Sequence, residues 1–325
     1  MSKKKITDPD ERHIDLVAVI GNGLTGTSWA GLFAAHGCTV RMFDHDPGRR
    51  KIAFDKARSL ALFLKEHGLA DPDQADQGIA SLYISDTLAE AVHDVGFVQE
   101  SVFESYDVKR DVFKEIDRFA PKETIIATSS SGLSISRIQT AARYPQRCVA
   151  GHPYNPPHLI PLVEVAPGEK TSTETVASAK KFYESVGKTP VTLSRDIPGY
   201  LANRMSAALW REAINLVIDG VASVEDVDKA ISMGPGLRWA VMGPHLLYHL
   251  GGGEGGIRYH VDHLKETKET MWRDFNDWTK LPQETADQLA QGLPPLDSIR
   301  ELAGERDEKL ARIIQDLATY RKSSK

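Results

Sequence analysis

Residues 16–44 read LVAVIGNGLTGTSWAGLFAAHGCTVRMFD, and this stretch decides the fold of the N-terminal half. An apolar, β-branched run at 16–20 leads into the glycine-rich sequence GNGLTG at 21–26, and a helical pattern follows. A second apolar run ends in Asp44, about 20 residues further on. A strand, a glycine-rich turn, a helix and a second strand closed by an acid form the βαβ unit that binds a dinucleotide. The stretch therefore predicts a dinucleotide-binding fold.

The glycines of the turn have separate tasks in such a site. Gly21 permits the tight turn out of the strand, Gly23 lets the backbone approach a pyrophosphate, and Gly26 lets the helix pack on the sheet. The helix N-terminus faces the negative charge of the phosphates. The predicted cofactor-binding residues of the loop are Gly21, Gly23, Leu24, Thr25 and Gly26.

The acid at the end of the second run indicates which dinucleotide is bound. Asp44 can accept hydrogen bonds from a ribose diol and would repel a 2′-phosphate, so we predict NAD rather than NADP. Arg49 and Arg50 could favour NADP, but after Asp46 and Pro47 they fit better with the solvated start of a helix.

From residue 16 to about 195, short β-rich runs alternate with helical patterns, which predicts a Rossmann-type, doubly wound, mostly parallel sheet. The predicted strands are Leu16–Ile20, Thr39–Phe43, Leu82–Ser85, Phe97–Glu100, Thr124–Thr128, Cys148–His152, Leu162–Val165 and Val191–Leu193. The predicted helices between them are Thr27–His36, Pro47–Glu66, Tyr106–Phe119 and Thr173–Val186. Ligands of such a sheet bind at the carboxyl ends of its strands.

The pattern changes at Asp196-Ile197-Pro198-Gly199, after which the chain is nearly all helical. The predicted helices there are Tyr200–Asp219, Val224–Met233, a stretch near Pro244–Leu250, Ile257–Lys268 and a last helix from about Leu296 to Lys322, with Leu302, Leu310, Ile313, Ile314 and Leu317 on one face. We expect an NAD-binding domain at 1–195 and a helical domain at 196–325 that binds substrate and forms a homodimer. The apolar faces of that domain fit its own core equally well.

Composition limits the class of protein. The 325 residues carry a net charge of −5, with no basic run beyond Lys3-Lys4-Lys5, which argues against nucleic acid as a partner. No stretch approaches the roughly 18 apolar residues of a membrane span. Cys38 and Cys148 lie in apolar runs and are predicted to be buried free thiols in a reducing compartment, so we expect a cytoplasmic protein. No cysteine and histidine set has zinc-like spacing, so no metal is predicted.

Two titratable residues lie at ends of predicted strands. His152, in GHPYNPP at 151–157, follows an apolar strand, and a histidine there can take a proton from an alcohol near neutral pH. Glu164 is the single acid in the apolar run PLVEV at 161–165. A buried carboxylate is costly unless it is paired, and pairing would hold the His152 ring and stabilise its imidazolium form. An edge-strand glutamate facing water would fit the pattern equally well.

Other polar residues follow the strands. The turn TSSSG at 128–132 offers hydroxyls that could hold a substrate oxygen or the nicotinamide, or that could simply cap the next helix. Asn203 and Arg204 lie near the start of the first helix of the second domain, where they could close over a cleft.

These motifs occur together in the order GNGLTGTSWAGLF, SSSGL, GHPYNPP, PLVEV and PGYLANR, and in this the chain resembles the 3-hydroxyacyl-CoA dehydrogenase superfamily over essentially its whole length. The resemblance implies that His152 is the catalytic base and Glu164 its partner. It also implies that Ser131 and Asn203 bind the reacting oxygen. Glu104 and Lys109, in FESYDVK, match positions that line the nicotinamide.

Within the superfamily, HPYNPPHLIPLVEV resembles the branch of L-gulonate 3-dehydrogenase and carnitine dehydrogenase. GPGLRWAVMGP at 234–244 and HLGGGEGG at 249–256 look most like the carnitine branch. A quaternary ammonium has no N–H to donate, so a site must hold it with aromatic faces and carboxylates. Tyr154, Trp239 and Tyr248 are the predicted faces, and Arg238 is the predicted partner of a substrate carboxylate. Helix packing would explain Trp239 and Tyr248 equally well.

The resemblance implies NAD-dependent oxidation of the 3-hydroxyl of L-carnitine, a small substrate with a carboxylate and a trimethylammonium group. L-gulonate and a 3-hydroxyacyl-CoA are the alternative substrates. A non-catalytic, crystallin-like NAD-binding protein is the alternative from another class.

Overall fold

The computed structural model describes residues 14–323, and within them one eight-stranded sheet forms the centre of the N-terminal part. Its strands are β1 (Leu16–Ile20), β2 (Thr39–Phe43), β3 (Leu82–Ile84), β4 (Phe97–Glu100), β5 (Ile125–Thr128), β6 (Cys148–Pro153), β7 (Leu162–Pro167) and β8 (Thr189–Thr192). The helices among these strands are α1 (Leu24–Ala35), α2 (Pro47–Glu66), α3 (Pro72–Ala80), α4 (Leu88–Val92), α5 (Tyr106–Phe119), α6 (Ile135–Ile138) and α7 (Thr173–Ser185).

The strand order is β3-β2-β1-β4-β5-β6-β7-β8. All neighbours are parallel except β6 and β7, which are antiparallel because a short loop without a crossover helix joins them. The order reverses between β1 and β4, and a doubly wound sheet opens its ligand crevice at that switch point. The predicted doubly wound, mostly parallel sheet followed by helices is confirmed.

Alternate residues of each strand pack on opposite faces of the sheet. Val17 and Val19 belong to the core on the side of α1, which contains Trp29 and Phe33. Ala18 and Ile20 belong to a second core on the other face. Burial on both faces explains why the central strands read as continuous apolar runs.

The helices after the sheet are α8 (Ala202–Ile218), α9 (Val224–Met233), α10 (Pro235–Val241), α11 (Pro244–Gly251), α12 (Gly256–Asp274), α13 (Thr285–Gln291) and α14 (Ile299–Ser323). The helices α3, α4, α10 and α13 were not predicted from the sequence. Among residues 14–323, no helix combines the length and apolarity that crossing a bilayer requires.

The chain forms two compact units: Arg204–Arg306 is one, and the residues before and after it form the other. The first unit thus includes part of α14, because Ala311 is buried in its core and Leu310 and Ile314 pack against it. The bounds of the predicted helical domain, 196–325, differ from those of the second unit, and this packing accounts for the difference at the C-terminal end. Leu302 and Ile313 are largely exposed, so the predicted apolar face of the last helix is only partly buried.

Candidate active site

The glycine-rich turn lies between the end of β1 and the start of α1. Gly21 has a φ of +89°, which favours glycine, and a side chain there would press on the backbone of Ser101. A Cβ at Gly26 would overlap the carbonyl oxygen of Gly21. At Gly23, by contrast, a Cβ would meet no atom within 4 Å. The first and last glycines therefore serve close packing, and the middle one faces open space.

The residues at this turn fit a bound dinucleotide. Gly23 caps α1 without a side-chain hydrogen bond, and the first amides of a helix have no partner within it. Those amides can bind a pyrophosphate, and the open space at Gly23 leaves room for it. Asn22 is 4 % exposed, and both polar atoms of its side chain have no partner in the described part of the chain. Such orphaned groups are costly unless a ligand satisfies them.

Asp44 ends β2 and is buried beside the same turn. Its Oδ2 accepts the amide of Asn22 at 2.6 Å, and its Oδ1 accepts the amide of Asp46 at 2.9 Å. The carboxylate thus fixes the glycine-rich turn and keeps further lone pairs for a ribose. Arg50 is one of the two arginines that could have favoured NADP. Its Nε donates to the carbonyl of Asp44 at 2.7 Å, and its guanidinium group stacks on Phe43.

His152 and Glu164 lie opposite each other on the antiparallel strands β6 and β7. The pairing of these strands aligns His152 with Glu164, and both are buried. His152 Nδ1 and Glu164 Oε2 are 2.8 Å apart. The other oxygen, Oε1, accepts the amides of Leu201 at 2.8 Å and Ala202 at 3.0 Å. Glu164 therefore pairs with the histidine instead of facing water.

The ionisation of Glu164 fixes the tautomer of His152. Burial raises the pKa of the Glu164 carboxyl, but hydrogen bonds from His152, Ala202 and Leu201 outweigh burial and hold this pKa below its ordinary value. An ionised carboxylate only accepts, so Nδ1 carries the hydrogen. Nε2 then has a free lone pair, and a histidine in this state can take a proton from an alcohol.

Tyr200 was not predicted as a site residue. Its ring centroid lies 5.0 Å from that of His152, and the residue is 1 % exposed. Its φ of +47° is unusual for a residue other than glycine. Burial raises the pKa of the Tyr200 hydroxyl far above its usual range, so the hydroxyl stays protonated. The Tyr200 ring covers that of His152, and the only local sequence signal there is Pro198-Gly199, which indicates a turn.

The serine turn is fastened by Glu104. Its Oε1 accepts the Ser130 hydroxyl at 2.7 Å and the amides of Ser131 and Gly132 at 3.1 and 3.0 Å. Burial raises the pKa of Glu104, but these bonds and Lys109 hold it below the ordinary value. Ser131 is exposed, and its hydroxyl has no hydrogen bond within residues 14–323. Of the predicted residues, Glu104 and Ser131 are thus brought together.

Lys109 lies beneath this turn and is buried. Its Nζ donates to Glu100 Oε1 at 2.7 Å and to the carbonyl of Val102 at 3.2 Å, and it lies 3.4 Å from Glu104 Oε2. Glu100 also accepts the Thr128 hydroxyl at 2.6 Å. The ammonium group of Lys109 therefore stabilises the carboxylates that shape the strand ends.

The remaining predicted residues are distributed over both units. Asn203 is half-buried in the first unit, one residue after the Ala202 amide that Glu164 holds, and Tyr154 is half-buried just after β6. Arg238, Trp239 and Tyr248 lie exposed on α10 and α11 of the second unit. The Tyr248 ring stacks on His260 at 4.8 Å and carries Lys268 Nζ 5.4 Å from its centroid. Residues 14–323 contain no group of three or more side chains suited to holding a metal.

Comparison with known proteins gives two family matches. The NAD binding domain of 3-hydroxyacyl-CoA dehydrogenase matches residues 16–197, and the C-terminal domain of the same family matches residues 199–291.

Individual relatives match nearly the whole chain. An L-carnitine dehydrogenase of Streptomyces coelicolor is 39% identical over 95% of this chain and 96% of its own length. One of Oceanobacillus iheyensis is 38% identical over 94% of this chain and 98% of its own. Among solved structures, an NAD+-dependent 5-formyl-3-hydroxy-2-methylpyridine 4-carboxylic acid 5-dehydrogenase superimposes with a TM-score of 0.83 at 30% identity, covering 94% of this chain and 99% of its own.

Proposed function

The chain belongs to the 3-hydroxyacyl-CoA dehydrogenase family of NAD-dependent oxidoreductases, and from that premise we propose that it oxidises the 3-hydroxyl of L-carnitine to give 3-dehydrocarnitine. The observation that carries the reaction type is the buried hydrogen bond of 2.8 Å between His152 and Glu164. The substrate is supported by the relatives that bear the name L-carnitine dehydrogenase.

His152 acts as the general base. Its Nε2 accepts the proton of the substrate hydroxyl, and the positive charge that develops on the ring is stabilised by the Glu164 carboxylate at Nδ1. NAD held at the glycine-rich turn would supply the acceptor for the hydride that leaves the substrate carbon. The exposed hydroxyl of Ser131 and the amide of Asn203 donate hydrogen bonds to the reacting oxygen as it becomes a carbonyl oxygen.

The cofactor is held by residues of the first unit. The amides of Leu24, Thr25 and Gly26 bind the pyrophosphate at the start of α1. Asp44 binds the adenosine ribose, and Glu104 lines the nicotinamide side together with the serine turn that it fastens. Lys109 acts indirectly, because its ammonium group holds the carboxylates of Glu100 and Glu104 in place.

The substrate is recognised by its two charged groups. Trp239 is 41 % exposed and offers an aromatic face to a trimethylammonium group, while the engaged ring of Tyr248 makes it the weaker candidate. Tyr154 is the aromatic residue nearest in sequence to the base. Arg238 pairs with the substrate carboxylate.

The second unit also supports a homodimer. Large apolar side chains such as Met205, Trp210, Leu237 and Leu246 are at least half exposed on its helices. Single exposed apolar residues are ordinary, but so many on one unit indicate an interaction surface. We propose that a second copy of the chain binds to it. The two buried free cysteines support a reducing compartment, the cytoplasm.

The test is NADH formation by the purified protein with NAD and a panel of L-carnitine, D-carnitine, L-gulonate, 3-hydroxybutyrate and 3-hydroxybutyryl-CoA. We expect turnover with L-carnitine. Replacing His152 with Ala should lower turnover by roughly 10²–10⁴, the range of general acid–base catalysis. Turnover with L-gulonate or the CoA ester alone would overturn the substrate, and turnover that survives His152→Ala would overturn the base. NADH binding without turnover on any member would favour the non-catalytic protein.

A further inference from the structure

A cluster of polar side chains at the ends of β4 and β5 takes no part in the proposed reaction. Ser129 Oγ lies 2.8 Å from Gln99 Nε2, 3.2 Å from Trp29 Nε1 and 2.8 Å from Ser101 Oγ. Gln99 Oε1 accepts the Tyr183 hydroxyl at 2.6 Å. The direction of each hydrogen bond in this cluster follows from the number of donors and acceptors that each group has.

Gln99 has one possible orientation. Its Nε2 lies 3.3 Å from the carbonyl oxygen of Gly151, which can only accept. The amide nitrogen must therefore be on that side, and the same nitrogen donates to Ser129. The Tyr183 hydroxyl, on the other side, donates to the amide oxygen.

Ser129 then has one possible proton position. A serine hydroxyl has one hydrogen and two lone pairs. The indole of Trp29 and the amide of Gln99 are both donors, and they fill the two lone pairs. The Ser129 hydrogen must therefore point at Ser101 Oγ, which is the third neighbour.

Ser101 receives that hydrogen and keeps its own. Within residues 14–323 its Oγ makes no other hydrogen bond, and the residue is half-buried, so its donor is left for a ligand or for solvent. The Ser101 amide donates to the carbonyl of Ile20 at 2.7 Å, and the Ser101 Cβ lies 3.3 Å from the position that a Cβ at Gly26 would take. The free donor thus borders the glycine-rich turn at the switch point between β1 and β4.

We propose that the Ser101 hydroxyl donates a hydrogen bond to an oxygen of the bound NAD, and that Ser129 orients this hydroxyl. The proposal concerns cofactor binding only, so it holds whichever hydroxy acid is the substrate. Ser101 is then a cofactor contact, and Ser129 is a positioning residue that acts through it.

Titration of NADH by its fluorescence, without substrate, tests the contact. The loss of one hydrogen bond to the cofactor in Ser101→Ala should raise the dissociation constant about fivefold or more. Ser105→Ala is the matched control, because the Ser105 side chain makes no capping bond at the start of α5. A Ser101→Ala dissociation constant within about twofold of wild type overturns the proposal, as does an equal change in Ser105→Ala.

A double-mutant cycle tests the orienting role of Ser129. Ser129→Ala should weaken NADH binding in the wild-type background and have no further effect in the Ser101→Ala background. Equal weakening in both backgrounds overturns the orienting role, since a purely structural effect would be additive. If Ser101→Ala weakens NADH binding while L-carnitine is not oxidised, this inference stands and the proposed substrate fails.

Discussion

At the scale of single residues, Glu164 joins His152 to the start of a helix. One carboxylate oxygen holds Nδ1 of His152, and the other accepts the amides of Leu201 and Ala202, where α8 begins. Since Asn203 is the next residue, the same carboxylate places the proposed base and a proposed oxygen ligand. A change at Glu164 should therefore affect both chemistry and local order.

Replacing Glu164 with Gln should lower kcat by roughly 10²-fold or more, because the imidazolium form of His152 loses its stabilising charge. The amide of Gln can satisfy the His152 N–H or the backbone amides, but not both. We therefore also expect a lower melting temperature. Steady-state kinetics and thermal unfolding measure the two effects, with the exposed Glu184→Gln as control. A variant with wild-type kcat would show that Glu164 serves stability alone.

The Glu164 pKa also predicts how stability depends on pH. The folded-state pKa is below the ordinary value, so the unfolded state binds the proton more readily. The stabilisation is therefore full above the unfolded pKa and is lost as the pH falls through the folded pKa. Urea unfolding at a series of acidic pH values should show a steeper loss in the wild type than in Glu164→Gln. Equal slopes would contradict the assignment.

Substitutions at Tyr200 can distinguish the contribution of its ring to activity from that of its hydroxyl. Its ring packs on His152, but its buried hydroxyl has no partner in the described residues. Tyr200→Phe should keep kcat within about threefold and raise stability by about 1 kcal/mol, since an unsatisfied buried group is removed. Tyr200→Leu should lower kcat because the base loses its aromatic cover. A Tyr200→Phe variant as inactive as His152→Ala would mean that the hydroxyl takes part in the reaction.

The positions of candidate site residues were predictable where a local sequence pattern marks them. GNGLTG, Asp44 and His152 could be placed from strand ends alone, and the ambiguity at Glu164 needed the strand pairing to resolve. Tyr200 and Gln99 could not be found this way, since their partners lie 48 and 30 or more residues away and arise only from packing. Nothing in the sequence marks a buried hydroxyl network as distinct from ordinary core.

At the scale of elements, Lys188 stabilises the loop between β6 and β7 by hydrogen bonds to its backbone. This residue is 6 % exposed, and its Nζ donates to the carbonyls of Pro157 and Ile160 at 2.5 and 2.7 Å and lies 4.8 Å from the Trp29 ring. The loop follows directly on His152. Lys188 thus supports the segment that connects the strand of His152 to the strand of Glu164.

Burial lowers the pKa of Lys188 to about 7 from an ordinary value of 10.5. The unfolded state therefore binds more protons between these two values, and the free energy of unfolding should rise as the pH increases from about 7 to about 10. Urea unfolding at several pH values measures the slope. Lys188→Met should remove this slope, and Lys180→Met, at an exposed site, should keep it. A wild type whose unfolding free energy has the same pH slope as that of Lys188→Met would contradict the prediction.

Long amphipathic elements were predictable, and short polar ones were not. The prediction for α2, α5 and α9 agrees with the structure residue for residue. α4 has five residues and α10 seven, too few for a helical period to show. α3 is a polar surface helix whose signal is its cap, Asp71, which accepts the amides of Asp73 and Gln74. Capping alone was not enough to distinguish it from a loop.

At the scale of the whole molecule, the two units differ in how they bury apolar surface. The first has a sheet with a core on each face, whereas the second leaves large apolar side chains on its helices exposed. Exposed apolar area on this scale favours association, because removing it from water lowers the free energy by about 25 cal/mol per Å². A second copy of the chain would cover it symmetrically.

A charge placed on this surface should therefore separate the copies. Trp210 is 55 % exposed on α8 and lines a cavity with Ala207, Trp278 and Leu281. Trp210→Glu should give a monomer by light scattering after gel filtration, because a carboxylate at a buried interface loses its hydration without a partner. Ser232→Glu, exposed on α9, adds the same charge and should remain dimeric.

A wild-type protein that is monomeric at micromolar concentration would refute the dimer. If Trp210→Glu instead unfolds, its circular dichroism will show it, and Met205→Glu, five residues earlier on the same helix and 62 % exposed, then decides the question.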